Sequence, residues 1–238
     1  MNDIFNYLSA RQSEDDKIVE EISKITEMLT ALEIKYAAFG SVGIQSYLDH
    51  FIYLPNDFDI VVPRHDINKI EAFCAEKEIQ LLEMPGKFRM FIGALPIEII
   101  PEVYSIIDSS NNNTIATVTL GHHLDSAVTN KLTFIGTDKV IASRVLSVEM
   151  CIYIQLLRAN YTESLIRMFH VFYHRGIEKN VFGAIMMENP KLNRSIVNRL
   201  IDLRKRIGSL TCYSHEQVEL VMGELLQLIN YMQMEIGL

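Results

Sequence analysis

Apolar residues recur at helical spacing over residues 14–33, where Ile18, Ile22, Ile25, Met28, Leu29 and Leu32 form one stripe. This predicts an amphipathic helix capped by Ser13, with Glu14, Asp15 and Asp16 at its positive end. The pattern then shortens. A buried strand is expected over 35–39, followed by Gly40-Ser41 and a helix over 42–51. Pro55-Asn56 turns the chain into a strand over 57–62 that stops at Pro63. A helix over 65–78 comes next, then strands over 79–83, 87–92 and 96–100, turned by Pro85-Gly86 and by Gly93 to Pro96. A polar loop at 108–113 precedes two further alternating stretches, 114–120 and 131–135. From Ser143 onward, strand signals fade and helical periods dominate: 145–158, 162–175, a shorter one near 179–187, 193–207, and 215–236 capped by Ser214. The expected fold is α/β (α+β), a mixed sheet flanked by helices over residues 1–142. An all-helical domain follows over 143–238, joined near 137–147.

The chemistry concentrates where the strands are. Side chains in a strand alternate between faces, so Asp57 and Asp59 point the same way. Glu98 is a lone acid in the apolar run Pro96-Ile97-Glu98-Ile99-Ile100 and sits on a strand able to lie beside them. Three clustered carboxylates repel one another unless a cation offsets the charge. The pattern therefore points to metal-dependent phosphoryl transfer.

In their order these residues resemble the polymerase-β-like nucleotidyltransferase superfamily. The matching residues are Phe39-Gly40-Ser41, then Asp57-Phe58-Asp59-Ile60, then Ile97-Glu98-Ile99. Two departures stand out: residues 42–56 make a long spacer for the family, and the third acid is Glu where Asp is commoner. The resemblance implies that Asp57, Asp59 and Glu98 are the catalytic and metal-binding acids, holding Mg²⁺ as two ions. It implies that Gly40 and Ser41, with the amides of the helix that follows, bind the triphosphate of an NTP. Lys87 and Arg89 share one strand face and are candidates to neutralise phosphate charge, with pairing to Glu83 or a neighbouring acid as the alternative. The implied activity transfers a nucleoside monophosphate to an acceptor hydroxyl and releases pyrophosphate. Antibiotic nucleotidyltransferases and toxin-type transferases acting on tRNA or protein share this layout. A non-catalytic binding or regulatory protein on the same fold is the rival from another class.

Charge narrows the acceptor. The formal net charge is −8, and acidic side chains outnumber basic ones by about two to one in residues 1–110, while the rest is slightly basic. An acidic half disfavours DNA and long RNA, whose binding rests on basic surfaces. It suits a divalent cation and a small, cationic, hydroxyl-bearing acceptor. The apolar runs are too short for a membrane span, and three scattered cysteines without a metal or disulfide pattern fit a reducing cytoplasm. Weaker candidates remain. His122-His123, Arg64 and His65 read as loop or helix-start residues. His170 and His174 stand four apart, a metal-compatible spacing without a third ligand, and the segment from Arg167 to His174 loosely resembles the Arg–His motif of helical ribonucleases. Arg194, Arg199, Arg204, Lys205 and Arg206 make 193–207 a basic helix that either faces solvent, docks on the acidic half, or contacts RNA.

Overall fold

The computed structural model describes residues 2–51, 53–107, 114–134, 137–158 and 164–236. The loop expected over 108–113 and the start of the helix expected over 162–175 lie outside these residues. The described chain forms two compact units, one of residues 1–105 and 117–147, the other of residues 106–116 and 148–238.

The first unit begins with a long helix, α1 (Asn2–Ala31). Ser13 is therefore not its cap but lies inside it: no Gly or Pro occurs from Asn2 to Ala31, so nothing stops the helix from extending. Its end is well defined. Glu33 adopts a left-handed φ of 52°, which lets the Ile34 amide donate to the Leu29 carbonyl at 2.9 Å and close the last turn.

The sheet has seven strands in the order β3-β4-β5-β2-β1-β9-β8. These are β1 (Ala37–Ala38), β2 (Phe58–Val62), β3 (Leu82–Met84), β4 (Lys87–Ile92), β5 (Leu95–Pro101), β8 (Val128–Thr133) and β9 (Val140–Val145). β2 and β5 run parallel, as do β1 and β9; the other neighbouring pairs are antiparallel. β6 (Val103–Ile107) and β7 (Thr114–Thr119) pair in a separate small sheet. β6 and β9 have no counterpart in the expected elements. β9 occupies the region read as a junction: its alternation is real, with Ile141, Ser143 and Val145 buried, but the small Ala142 and Ser143 weaken the apolar signal.

One face of the sheet carries the hydrophobic core. Phe58, Ile60 and Val62 of β2, Ile97 and Ile99 of β5, and Met90 of β4 pack with Ile22, Ile25 and Leu29 of α1 and with Ile70 and Cys74 of α3 (Ile67–Glu76). Period-two alternation then sends Asp59, Val61, Glu98 and Ile100 to the opposite face. The helix expected over 42–51 is shorter: α2 spans Gly40–Gln45, and Phe51 instead makes an isolated bridge to Phe134, their rings stacked 4.4 Å apart.

The second unit is helical around α4 (Val148–Leu157), whose residues from Glu149 to Leu157 are all buried. A helix apolar on every side must be surrounded, and α6 (Lys179–Glu188) and α7 (Asn193–Gly208) pack on it. Its ends are closed by polar side chains. Glu149 accepts the Glu178 amide at 3.1 Å, just ahead of α6. At the other end, Arg199 Nη1 donates to the carbonyls of Leu156 and Arg158. Arg204 donates to the Met222 carbonyl of α8 (His215–Ile236), and Arg206 pairs with Asp202. Three of the cations in the basic helix are thus engaged within its own unit. Among the described residues no helix is long and apolar enough to cross a membrane.

The two kinds of arginine on α7 should separate in a denaturation experiment. Arg199→Met removes the donor to two part-buried carbonyls and is expected to cost about 2–3 kcal/mol. Arg206→Met breaks a solvent-exposed pair and is expected to cost at most about 1 kcal/mol. Equal losses in urea midpoint would contradict the capping role.

Candidate functional site

The site is built by register. In the parallel pair β2–β5, Asp59 lies beside Glu98; in the antiparallel pair β4–β5, Arg89 lies opposite Glu98. Paired residues share a face, and Lys87, two residues from Arg89, shares it too. Asp57, immediately before β2, adds the third acid: one carboxylate oxygen from each of Asp57, Asp59 and Glu98 lies within 4.8 Å of the others. Asp59 and Glu98 are buried, 1% and 6% exposed, and Asp57 is half-buried. The three acids expected to converge do converge.

Glu98 does not stand as a free carboxylate. Lys87 Nζ donates to its Oε2 at 2.5 Å, and Arg89 Nη2 donates to its Oε1. Burial by itself would raise the Glu98 carboxyl, but the bonds and charges of Lys87 and Arg89 outweigh it and hold the group below the ordinary value of 4.5. Lys87 and Arg89 thus pair with an acid, and that acid is Glu98 rather than Glu83. Arg89 keeps a further donor, since its Nε is buried with no hydrogen-bond partner among the described residues.

Gly40 is required here for two reasons. Its φ of +64° is costly for other residues, and a Cβ at this position would overlap the Asp59 carboxylate. The Phe39 amide donates to the Asp59 carbonyl at 3.0 Å, which fixes the Phe39-Gly40-Ser41 corner beside the acids. Ser41 Oγ is buried and has no hydrogen-bond partner among the described residues. A buried hydroxyl of this kind is costly unless a ligand satisfies it. α2 is only six residues long, so the corner offers the close approach at Gly40 and the Ser41 hydroxyl more than a helix dipole. One neighbour escaped the sequence reading. The Tyr104 ring packs edge-on against Phe39 at 5.2 Å, and its only sequence signal was an aromatic in an unrecognised strand.

The donor set is all oxygen and anionic, which suits a hard divalent cation such as Mg²⁺. The remaining candidates do not gather into a comparable site. Arg64 opens a short 3₁₀ turn and gives its amide to Glu102, while His122 and His123 lie in another such turn. His170 and His174 stack on α5 (Leu165–His174) with centroids 5.7 Å apart, and His170 Nε2 shares a 2.9 Å hydrogen bond with Tyr213 Oη. Among the described residues no third metal-ligating side chain joins them. They read as members of the aromatic cluster with Phe169, Tyr173 and Tyr213.

No protein-family model matches the chain, and no curated protein does. Among solved structures, the solution structure of antibiotic-resistance factor ANT(2'')-Ia aligns over 90% of this chain and 93% of its own, at 14% identity and a TM-score of 0.43. The crystal structure of ANT(2'')-Ia in complex with adenylyl-2''-tobramycin aligns over 88% and 97%, at 13% identity and 0.38. An antigenic nucleotidyltransferase-like protein from Paracoccidioides brasiliensis aligns over 76% and 92%, at 12% and 0.38. At these values no residue role is carried over, and what the site can do rests on its own geometry.

Two outcomes check that geometry. Gly40→Ala should push the Asp59 carboxylate aside and weaken Mn²⁺ binding by about tenfold, a loss of ~1.4 kcal/mol readable by electron paramagnetic resonance; unchanged affinity would contradict the close approach. Because the Glu98 pKa is depressed on folding, its pairing contributes stability fully above 4.5 and loses it as pH falls through the lower folded value. The gap in melting temperature between wild type and Glu98→Gln should therefore narrow as pH drops below 4.5; a gap that stays constant would show that the charge pairing contributes nothing.

Proposed function

We propose that the chain is a Mg²⁺-dependent nucleotidyltransferase, moving a nucleoside monophosphate from a nucleoside triphosphate to a hydroxyl of a small acceptor. The observation that carries this reading is the convergence of Asp57, Asp59 and Glu98 within 4.8 Å, next to the Gly40-Ser41 corner. Asp57 and Asp59 are the ligands that would bridge protein to triphosphate, and Glu98 would complete the set on the acceptor side. Bound there, two Mg²⁺ ions would supply the Lewis-acid clamp on the attacking and leaving oxygens. Ser41 Oγ donates to a phosphate oxygen, and the missing side chain of Gly40 leaves the Asp59 carboxylate room beside that corner. The acceptor oxygen bonds to the α-phosphorus as the bond to the leaving pyrophosphate breaks. Glu98 stands on the acceptor side as ligand or as the base that takes the proton of the acceptor hydroxyl.

The acidic character of residues 1–110 favours a cationic small acceptor over nucleic acid. The commitment of Arg199, Arg204 and Arg206 to their own unit weakens the case for RNA on the basic helix. Cys74 and Cys151 are buried free thiols, in keeping with work in a reducing cytoplasm.

Incubation with α-labelled NTPs and a panel of aminoglycosides, lincosamides, tRNA and cell protein tests the acceptor. Label on a small hydroxyl compound is the expected result, and label only on tRNA or protein would replace this acceptor class. Asp59→Asn should lower transfer about a thousandfold, with the melting temperature nearly unchanged. Should no NTP with Mg²⁺ raise the wild-type melting temperature, the non-catalytic reading takes over.

A further inference from the structure

The free protein solves a charge problem that a metal-binding site ordinarily leaves to the metal. Three carboxylates converge, two of them buried, and the charge is offset by Lys87 and Arg89 instead. Both oxygens of Glu98 are taken, Oε2 by the ammonium and Oε1 by the guanidinium. A divalent cation arriving alone would find both oxygens of Glu98 held, with two like charges beside them. A triphosphate arriving alone would meet three acids. Each ligand by itself is opposed by what the other would relieve.

We infer that Lys87 and Arg89 form a releasable clamp on Glu98, so that cation and triphosphate each bind weakly alone and tightly together. Glu98 exchanges its two basic partners for the cation, and the freed ammonium and guanidinium turn to phosphate oxygens. The side chains are suited to the exchange. Lys87 and Arg89 are partly exposed, at 26% and 34%, whereas the Glu98 side chain is 9% exposed, so the cations are the mobile partners and the acid the fixed one. The unpartnered Arg89 Nε gives the guanidinium a donor for phosphate that Glu98 does not use. Metal and triphosphate affinities are then thermodynamically coupled, each raising the other by the same factor. The inference rests on the nucleotidyltransferase reading for its ligands, but its signature is separate from activity.

The test uses full-length protein with Mn²⁺, read by electron paramagnetic resonance, and with inorganic triphosphate, read by calorimetry in saturating Mn²⁺. Lys87→Met and Arg89→Gln should each tighten Mn²⁺ binding in the absence of triphosphate by about tenfold, while weakening triphosphate binding by a similar factor. These opposite signs are the mark of exchange. Lys77→Met, which removes a cation paired with Glu76, controls for the loss of one positive charge and should change Mn²⁺ affinity less than about twofold. Melting temperatures confirm folding, and the two single variants stand in for each other if one is unstable. Variants that bind Mn²⁺ no tighter than wild type, or no tighter than Lys77→Met, overturn the clamp. If that happens while Mn²⁺ binding still depends on Asp59, the nucleotidyltransferase reading survives. If no form binds Mn²⁺, the metal site and the clamp fall together.

Discussion

The pairing of Glu98 with Lys87 and Arg89 is the interaction on which the arrangement of the site depends. Without it, Asp59 and Glu98 would be neighbouring buried carboxylates on adjacent strands, with Asp57 close by. Mutual repulsion at that separation would protonate one of them or force the strands apart. Two cations on β4 remove the conflict, so β2 and β5 can keep an unbroken register from Phe58–Ile97 to Val62–Pro101. The price is a site whose anionic character is partly masked until a ligand arrives.

The same strands serve the core and the chemistry, on opposite faces. Phe58, Ile60, Ile97 and Ile99 are completely buried against the helices, and their neighbours Asp59 and Glu98 inherit that rigidity. A carboxylate on a strand fixed by five ladder pairs has little freedom to drift. Gly40 adds a steric stop behind Asp59, and the Phe39 amide holds the backbone there. Rigid acids, mobile bases and an unsatisfied Ser41 hydroxyl divide the site into parts that wait and parts that move.

Much of this was legible in residue order, and the misses have physical causes. Alternation alone places Asp57 and Asp59 on one face, and it marks Glu98 as a polar exception in a buried strand. What alternation lacks is register, because pairing between β2 and β5 is non-local. One piece of register was nevertheless local. β4 and β5 are joined by a two-residue turn at Gly93-Ala94, and Arg89 and Glu98 are equidistant from it, so the hairpin itself sets them opposite each other. Reading the turn as Gly93 to Pro96 blurred that inference. β9 was missed because Ala142 and Ser143 dilute its pattern, and its strand character comes from pairing with β1 and β8. α1 was cut short at Ser13 because a capping residue was visible, although nothing at that point breaks a helix. The basic stripe on α7 read as a surface because sequence cannot show that Arg199 and Arg204 reach carbonyls on neighbouring helices.

The Gly93 turn carries a consequence of its own. A hairpin slipped by two residues keeps every side chain on its proper face, so the hydrophobic pattern does not forbid it. Such a slip can bring Lys87 opposite Glu98 in place of Arg89, and charge complementarity would accept that mispairing as well. The turn discriminates. Gly93 adopts a φ of +66° that ordinary side chains resist, a Cβ there would collide with Glu21 of α1, and Glu21 Oε1 accepts the Ala94 amide at 2.8 Å. A helix from the start of the chain thus acts as the spell-checker of the hairpin, rejecting a misregistered version that core packing and electrostatics would both let through.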